Sequence, residues 1–211
     1  TGSGKSTLVH LIPRLYDTSG GTVRVGGIDV RELTKSSLRS NIGIALQQPE
    51  LFSGSVSDNL RFGRPEATDE QIIAAATAAQ AHDFITAMPN GYDSVIQQSG
   101  TNLSGGQRQR LAIARTLLLE PAILILDDST SAVDLETEAH IQMAFDELAN
   151  TTVVLVAQRI STALGADEII VLDQGRIIAH GSHDQLLATS DIYQDIYRSQ
   201  LGEPADVGRA S

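Results

Sequence analysis

The sequence predicts an α/β fold with a mostly parallel β-sheet, because buried strands alternate with helical segments along the chain. Residues 122–126 and 153–157 consist entirely of apolar residues. Strands that are buried on both faces have this composition, since helices cover both faces of a parallel sheet. Residues 42–46 form a further short apolar run, which predicts another strand of the same sheet.

Helices are predicted between these strands. The first follows Lys5 and presents an apolar face until Pro13, which is expected to end or kink it. A second is predicted over residues 69–88, which are rich in alanine and carry spaced apolar side chains. A third is predicted over residues 104–120, where Pro121 follows.

Two β-hairpins are predicted, one near each end of the chain. Residues 22–30 alternate around Gly26-Gly27, and residues 169–179 alternate around Gln174-Gly175. Glycine at such turns adopts the positive φ angles that a tight hairpin needs. The last segment, residues 202–211, has no periodicity and is predicted to be a disordered tail.

Composition excludes several classes of protein. The 211 residues, 41% of them hydrophobic, are enough for one domain or for two fused subdomains. A net charge of −11 argues against a nucleic-acid-binding surface. Cysteine is absent, which excludes disulfides and thiolate metal sites. Among the five histidines only His180 and His183 have metal-ligand spacing, and their place beside a capping box at Ser182 favours a surface or capping role.

The start of the chain matches the second half of a phosphate-binding loop. Its residues are Thr1, Gly2, Ser3, Gly4, Lys5, Ser6 and Thr7. Glycines let backbone N–H groups converge on phosphate oxygens, the Lys5 ammonium faces the β- and γ-phosphates, and the Ser6 hydroxyl can ligate Mg²⁺. The first glycine of the loop and the strand before it are expected upstream of Thr1. The string predicts a site for ATP and Mg²⁺.

Two carboxylates, Asp127 and Asp128, follow the apolar run at residues 122–126. A carboxylate at this end of a parallel strand beside a phosphate loop is placed to hold Mg²⁺, through water or directly. Asp127 is the predicted magnesium ligand. A helix cap or a turn is the alternative explanation of the pair.

A second glycine-rich string lies at Ser104-Gly105-Gly106-Gln107. Ser104 with Gln107 three residues later is a capping box, which by itself explains a helix start. A capped helix end with two glycines is also a bare, positively polarised surface that an anion can approach. That anion can come from another chain.

Taken together, the motifs resemble the nucleotide-binding domain of an ABC transporter. They are the phosphate loop, Gln47 at a strand end, the LSGGQRQR string at residues 103–110, the strand-end aspartates and residues 131–134. Residues 51–55 most resemble the corresponding segment of exporters within this family. The similarity to the family covers residues 1–201. The resemblance implies a P-loop NTPase (RecA-like) core, an antiparallel β subdomain and an α-helical signature subdomain at about residues 48–120.

The resemblance also implies an assembly. Two such domains pair head to tail, and each ATP lies between the phosphate loop, Asp127 and Gln47 of one chain and residues 104–107 of the other. Gln47 is then a sensor of the γ-phosphate and a magnesium ligand, and residues 131–134 cross the dimer seam. Transmembrane domains are expected upstream on the same polypeptide, with this domain on the cytoplasmic side of the plasma (inner) membrane.

Two positions depart from the hydrolytic members of that family. Asp128 stands where they have a glutamate general base, which retracts the carboxylate by one methylene, roughly 1.5 Å. A misplacement of about 1 Å can cost about 100-fold in rate. Gln158 stands where they have a histidine, and glutamine cannot carry or exchange a proton near neutral pH. Together these changes predict that this chain's own ATP site is degenerate. They also predict a heterodimer, in which this chain completes the competent site of its partner.

Three alternatives remain open at this point. A homodimeric exporter would hydrolyse ATP slowly through Asp128. A DNA-maintenance ATPase of the SMC type shares the phosphate loop and the LSGGQ string, but it requires a coiled coil between them and a more basic surface. A regulatory module that binds ATP without any transporter is the third.

Overall fold

The computed structural model describes residues 2–202, which form two compact units. The larger unit contains residues 9–155, and the smaller contains residues 2–8 together with residues 156–202. Among the described residues, no helix is both long enough and apolar enough to cross a bilayer. The predicted tail lies, from residue 203 onward, outside the described residues.

The elements alternate along the chain as predicted. Up to the end of the larger unit they are α1 (Lys5–His10), β1 (Arg24–Val25), β2 (Ile28–Asp29), α2 (Lys35–Arg39), β3 (Ile42–Ala45), β4 (Gly54–Ser55), α3 (Val56–Arg61), α4 (Asp69–Ala78), α5 (His82–Thr86), β5 (Val95–Ile96), α6 (Gly105–Leu117), β6 (Ile123–Asp127), α7 (Leu135–Asp146) and β7 (Thr152–Val156). The smaller unit continues with α8 (Ile160–Ala163), β8 (Ile169–Asp173), β9 (Arg176–Gly181), α9 (His183–Thr189) and α10 (Asp191–Leu201).

A three-stranded sheet in the order β3-β6-β7 forms the centre of the larger unit. Strands β3 and β6 are parallel, from Ile42 opposite Ile123 to Ala45 opposite Leu126. The side chain of Leu124 is fully buried, as the apolar composition predicts. This pairing brings the carboxyl ends of β3 and β6 to the same edge of the sheet.

Helices α3 to α6 pack in the same unit as this sheet. Their buried apolar residues join one core cluster with those of the strands, the largest being Leu60, Ile72, Ile85, Ile96, Leu111 and Ile113. Strands β4 and β5 form a short antiparallel pair beside them. Helix α6 is buried on several sides, which explains why it contains five apolar or alanine residues after Arg110 and only one charged residue, Arg115.

The predicted helix at residues 69–88 is wrong in one respect, because the chain forms α4 and α5 with a break between them. Gln80 adopts a φ of 55°, which ends α4. Its carbonyl accepts a hydrogen bond of 2.6 Å from Arg110 Nη1 of α6. Ala79 and Ala81 on either side are fully buried. Tertiary packing against α6 therefore overrides the uniform helical propensity of this alanine-rich segment.

Both predicted hairpins are confirmed. In β1-β2 the turn residues Gly26 and Gly27 have φ angles of 58° and 82°. In β8-β9 the turn residues Gln174 and Gly175 have φ angles of 44° and 74°. Positive φ at both central residues is the geometry of the tight hairpin turn that matches strand twist.

The smaller unit is built around its hairpin. Ile160, Ile169, Leu186 and Tyr193 form its buried cluster, with contributions from α8, β8, α9 and α10. The predicted surface role is confirmed for His180, which is exposed and has its Nε2 atom 2.5 Å from Glu168 Oε2. His183 is half-buried instead, with its Nδ1 atom 2.8 Å from the Tyr193 hydroxyl. Ser182 caps α9 with a capping box.

One glycine fixes the distance between β3 and α6, and this gives a prediction. A Cβ atom at Gly43 would lie 2.6 Å from Thr116 Cγ2 and 3.0 Å from Pro121 Cγ. Gly43→Ala is expected to lower the free energy of unfolding by about 1–3 kcal/mol, because the buried helix must shift. Chemical denaturation would measure the loss.

The matched control is Gly20→Ala, since nothing lies within 4 Å of a Cβ at that position. Thr116→Ser in the Gly43→Ala background removes the colliding methyl group and keeps the hydroxyl that donates to the Ala112 carbonyl. It is expected to restore part of the lost stability. Equal stabilities of Gly43→Ala and Gly20→Ala would contradict the packing argument.

Candidate functional site

The phosphate loop lies in the smaller unit, at the start of the described chain. Gly2 and Gly4 have φ angles of 85° and 94°, which only glycine adopts at little cost. Helix α1 begins at Lys5, whose Nζ donates a hydrogen bond of 3.0 Å to Ser3 Oγ. Lys5 and Ser6 are half-buried. Thr1, the other predicted residue of the loop, lies outside the described residues.

The backbone of this loop is tied to the turn of the β8-β9 hairpin. The Gly175 N–H donates to the Ser3 carbonyl at 3.0 Å, and the Leu8 N–H donates to the Gly4 carbonyl at 2.9 Å. These bonds hold the loop on both sides of Gly4. The sequence contained no signal for the first of them, since it joins residues at opposite ends of the chain.

The strand-end carboxylates lie at the edge of the sheet in the larger unit. Asp127 ends β6 and is 4% exposed, and Asp128 follows at 9%. His10, on the last turn of α1, has its Nε2 atom 3.1 Å from Asp127 Oδ2. The sequence reasoning did not identify His10, because its pairing with Asp127 depends on how α1 lies against β6.

Gln47 and Asp128 meet at this edge. The Gln47 Nε2 atom donates a hydrogen bond of 2.8 Å to Asp128 Oδ2. The two residues are 81 positions apart in the chain and come together because β3 and β6 are parallel neighbours. The amide and the carboxylate predicted for one site are therefore in contact.

Asp128 has a backbone conformation that bears on its identity. Its φ is 51°, in the left-handed region where aspartate and asparagine are enriched among residues other than glycine. A glutamate here would lack the short polar side chain that stabilises this conformation locally. The local backbone therefore favours the aspartate that departs from the hydrolytic pattern.

The donors at the sheet edge fit Mg²⁺. Asp127 and the amide oxygen of Gln47 offer hard oxygen ligands of the kind that this cation prefers, and few of them, as is usual when phosphates and water complete the shell. Within residues 2–202 no group of three or more histidine, aspartate or glutamate residues has the arrangement of a metal site.

Gln158 lies in the smaller unit, just after β7, and it is exposed. The side chain of Gln200 on α10 holds this turn: its Nε2 donates to the Gln158 carbonyl at 3.3 Å, and its Oε1 accepts from the Ile160 N–H at 2.7 Å. The backbone at Gln158 is thus fixed by α10. Gln200 was not identified from the sequence, where nothing distinguishes it from other surface glutamines.

The second glycine-rich string begins α6, and its predicted capping box is confirmed. The Gln107 N–H donates to Ser104 Oγ at 3.2 Å, and the Ser104 N–H donates to Gln107 Oε1 at 2.9 Å. The two glycines pack against residue Ala132. A Cβ atom at Gly106 would lie 2.9 Å from the Ala132 carbonyl oxygen, and one at Gly105 would lie 3.4 Å from Ala132 Cβ.

A further glutamine on α6 joins this helix to the segment after β6. Gln109 is 4% exposed, and its side chain contacts Ser131 and Ala132. The sequence reasoning did not single it out. The available signal was a polar residue on the helix face that also carries Ala112, Ile113 and Thr116, all of which are buried.

Hydrogen bonds and burial shift the pKa values of three side chains on α6 and at the start of α7. Asp134 caps α7, and the backbone N–H and hydroxyl of Thr137 hold the pKa of the Asp134 carboxyl below its ordinary value. Burial lowers the pKa of the Arg110 and Arg115 guanidinium groups on α6. These arginines donate to the backbone carbonyls of Gln80 and Glu50 and lie over the rings of Phe84 and Phe52.

The predicted site residues thus fall into two groups. Gln47, Asp127 and Asp128 come together in the larger unit, which also contains Ser104, Gly105, Gly106 and Gln107. The phosphate loop and Gln158 belong to the smaller unit.

Comparison with known proteins identifies the family of this chain. The model of the ABC transporter family matches residues 1–131. The chain is 48% identical over 201 residues to the uncharacterized ABC transporter ATP-binding protein YknV of Bacillus subtilis, covering 95% of this chain and 33% of that protein. It is 47% identical over 201 residues to a putative multidrug export ATP-binding/permease protein of Staphylococcus aureus, covering 95% of this chain and 35% of that protein.

A solved structure has the same fold. A bacterial Atm1-family ABC exporter with ATP bound superposes with a TM-score of 0.92 at 40% identity, over 96% of this chain and 36% of that chain. The chain spans about a third of the length of the relatives that it matches. Its α/β fold is that of the P-loop NTPases, with a parallel sheet and additional antiparallel strand pairs. The chain belongs to the ABC transporter family, as an ATP-binding domain of that family.

Proposed function

We propose that this chain is the ATP-binding domain of an exporter and couples the binding and hydrolysis of Mg-ATP to transport across a membrane. The observation that carries the proposal is the contact of Gln47 with Asp128 beside buried Asp127, on a scaffold that matches an exporter at a TM-score of 0.92. The Staphylococcus aureus relative is named a multidrug export ATP-binding/permease protein, which supports export as the process.

The residues have distinct tasks in this function. The Gly2–Thr7 loop binds the phosphates, with Lys5 as the cation and Ser6 as a magnesium ligand. Asp127 and Gln47 hold the metal, which neutralises phosphate charge when bound. Asp128 accepts the proton of the attacking water, and Gln158 donates a hydrogen bond to a phosphate oxygen.

The wider organisation belongs to the same proposal. Residues 1–201 form the nucleotide-binding domain, residues 48–120 its helical subdomain, and residues 202–211 a tail. Transmembrane segments on the same polypeptide place the domain on the cytoplasmic side of the plasma (inner) membrane. The lengths of the ATP-binding/permease relatives support this arrangement, since this chain matches only their ATP-binding third.

We further propose that the partner is a non-identical second domain. The capping box at Ser104 is intact, with Ser104 exposed and Gly105 half-buried beside it, and is available to a ligand from another chain, whereas Asp128 and Gln158 are poor substitutes for a glutamate base and a histidine. This chain would then hold ATP at its own site and complete the competent site of its partner.

A homodimer that hydrolyses ATP slowly through Asp128 is the second candidate. The Gln47 amide orients the Asp128 carboxylate, and the backbone at φ 51° suits an aspartate, so the shorter base is well supported where it lies. A DNA-maintenance ATPase has less support. No described helix between the phosphate loop and Ser104 is longer than the 10 residues of α4, so that part of the chain contains no coiled coil.

Lys5→Ala tests the phosphate loop. In the full-length protein this change is expected to weaken ATP binding by about tenfold to 100-fold, because a charge-assisted contact to the phosphates is lost. Equilibrium binding of a fluorescent ATP analogue measures the affinity. Lys35→Ala, the same change at an exposed position on α2, is the matched control and should bind as the parent does. Unchanged binding by Lys5→Ala would contradict the assigned role of the loop.

The degenerate site is tested by restoring both residues. Asp128→Glu with Gln158→His is expected to raise turnover at this site by about tenfold to 100-fold, since the carboxylate advances and the γ-phosphate gains an ionisable partner. Single-turnover ATPase assays measure the rate. A glutamate must also adopt the left-handed backbone at this position, so Asp128→Glu alone is expected to gain less. If the double variant binds ATP but hydrolyses it no faster than the parent, the proposal of a degenerate site is contradicted.

The heterodimer is tested by the order of two effects. Gly105→Asp puts negative charge where a partner's γ-phosphate docks, without a backbone collision, and should reduce the steady-state ATPase rate of the assembled transporter by about 100-fold. Asp128→Asn should reduce it by less than about twofold, because little hydrolysis is expected at this site. Gly105→Ala, which adds bulk without charge, is the matched control. A larger loss from Asp128→Asn would favour the homodimer.

A further inference from the structure

Gln109 makes a two-ended contact that the proposed function does not use. Its Nε2 atom donates to Ser131 Oγ at 3.2 Å, and its Oε1 atom accepts from the Ala132 N–H at 2.8 Å. Gln109 lies on α6, one turn after the capping box at its start, and is nearly fully buried. One side chain thus binds two successive residues of the segment that follows β6.

The contact continues to the strand-end residues. The Ser131 hydroxyl donates to the Asp128 carbonyl at 3.0 Å, and the Ser131 N–H lies 3.4 Å from the same oxygen. The Asp128 carboxylate in turn accepts from Gln47. Hydrogen bonds therefore connect α6 through Ser131 to the backbone of Asp128, and the side chain of the same aspartate connects to Gln47.

Packing reinforces the same connection at the start of α6. The Ala132 carbonyl lies so close to Gly106 that a Cβ atom there would be 2.9 Å from it. The backbone after β6 thus lies directly against the helix end that carries Ser104 to Gln107. A displacement of this helix end must displace Ser131 and Ala132 with it, because close-packed segments move together.

We propose that Gln109 is a positioning residue that couples the start of α6 to Asp128. A nucleotide bound against Ser104, Gly105 and Gly106 by a partner chain then alters, through Gln109 and Ser131, the position of the carboxylate at this chain's own site. This inference rests on the proposed function, since it requires a partner whose nucleotide contacts α6. Coupling between two sites needs such a physical connection with a measurable interaction energy.

The chemistry of the two ends explains why glutamine is required. The Ala132 N–H needs an acceptor, and the Ser131 oxygen, whose own hydrogen goes to the Asp128 carbonyl, needs a donor. Only an amide offers both from one side chain of this length. Gln109→Glu keeps the acceptor and the shape but removes the donor, so that Ser131 turns its hydrogen toward the new carboxylate and away from Asp128.

A double-mutant cycle in the full-length transporter tests the coupling. The variants are Gln109→Glu, Ser131→Ala and the two combined, each assembled with a partner chain that binds ATP but whose own general base has been removed. The kcat and KM for ATP then report on this chain's own site, and the melting temperature is measured for each variant. Gln109→Glu and Ser131→Ala are each expected to lower kcat by about tenfold, within the range of typical coupling. KM should change by less than about twofold, since no residue of the phosphate loop is altered. The double variant should be no slower than the slower single variant, because both break the same series of bonds.

The matched control is Gln71→Glu, the same substitution at the capping box of α4, where an oxygen at this position still accepts from the Thr68 N–H. It should retain the parent kcat. Ser131→Ala is expected to melt within a few degrees of the parent and to have a lower kcat. This combination supports a positioning role, because a loss of folding would also lower the melting temperature. Ser131→Ala carries the test if Gln109→Glu does not fold.

Two results would overturn the inference. A parent kcat in Ser131→Ala, or losses that multiply in the double variant, would show that Gln109 and Ser131 do not act as one connection. A transporter with both chains unaltered that binds Mg-ATP but never hydrolyses it would instead overturn the proposed function, and this inference with it. If the parent hydrolyses ATP and the variants hydrolyse it at the same rate, only the role of Gln109 is overturned.

Discussion

The parallel pairing of β3 with β6 is the constraint on which the site depends. Parallel neighbours end at the same edge, so Gln47 and Asp128 approach within hydrogen-bond distance although 81 positions separate them. Burial of β6 on both faces places this strand in the interior of the sheet, between β3 and β7. Gly43 allows α6 to approach β3 closely, and the same helix carries the glycine-rich string at its start.

The backbone at Asp128 connects fold and chemistry. Its left-handed conformation turns the chain sharply away from β6, and this turn directs Ser131 back to the Asp128 carbonyl. Aspartate meets the backbone requirement at less cost than glutamate, whereas the role proposed for this position, that of a general base, favours the longer acid. Under the proposed function, the residue at this position therefore reflects a balance between a local conformational preference and the reach of the side chain.

Helix α6 satisfies two demands that usually conflict. Its start carries an exposed capping serine and two half-buried glycines, which suits an anion from a partner, while its middle is buried among the strands and helices of the larger unit. Two polar residues within the buried part, Gln109 and Thr116, have hydrogen-bond partners, which offsets the cost of burying them. The hydrogen bonds of the Gln109 side chain are made to the segment after β6.

The sequence by itself determined the features that depend on neighbouring residues. The φ angles of the phosphate-loop glycines, the capping boxes at Ser104 and Ser182, the two hairpin turns and the apolar strands all follow from patterns a few residues long. Short motifs also identified the family and the predicted site residues, whose roles remain predictions. Local patterns suffice for these features because their hydrogen bonds close within a turn or a strand.

Only the tertiary structure decided the break at Gln80, the contact of His10 with Asp127, the support of Gln158 by Gln200 and the contacts of Gln109. Each depends on a partner that lies far away in the sequence. A glutamine on a helix has the same local pattern whether it faces water or a buried backbone. Its role is set by which segment packs against that face, and the packing of whole elements is a property that no short stretch of sequence contains.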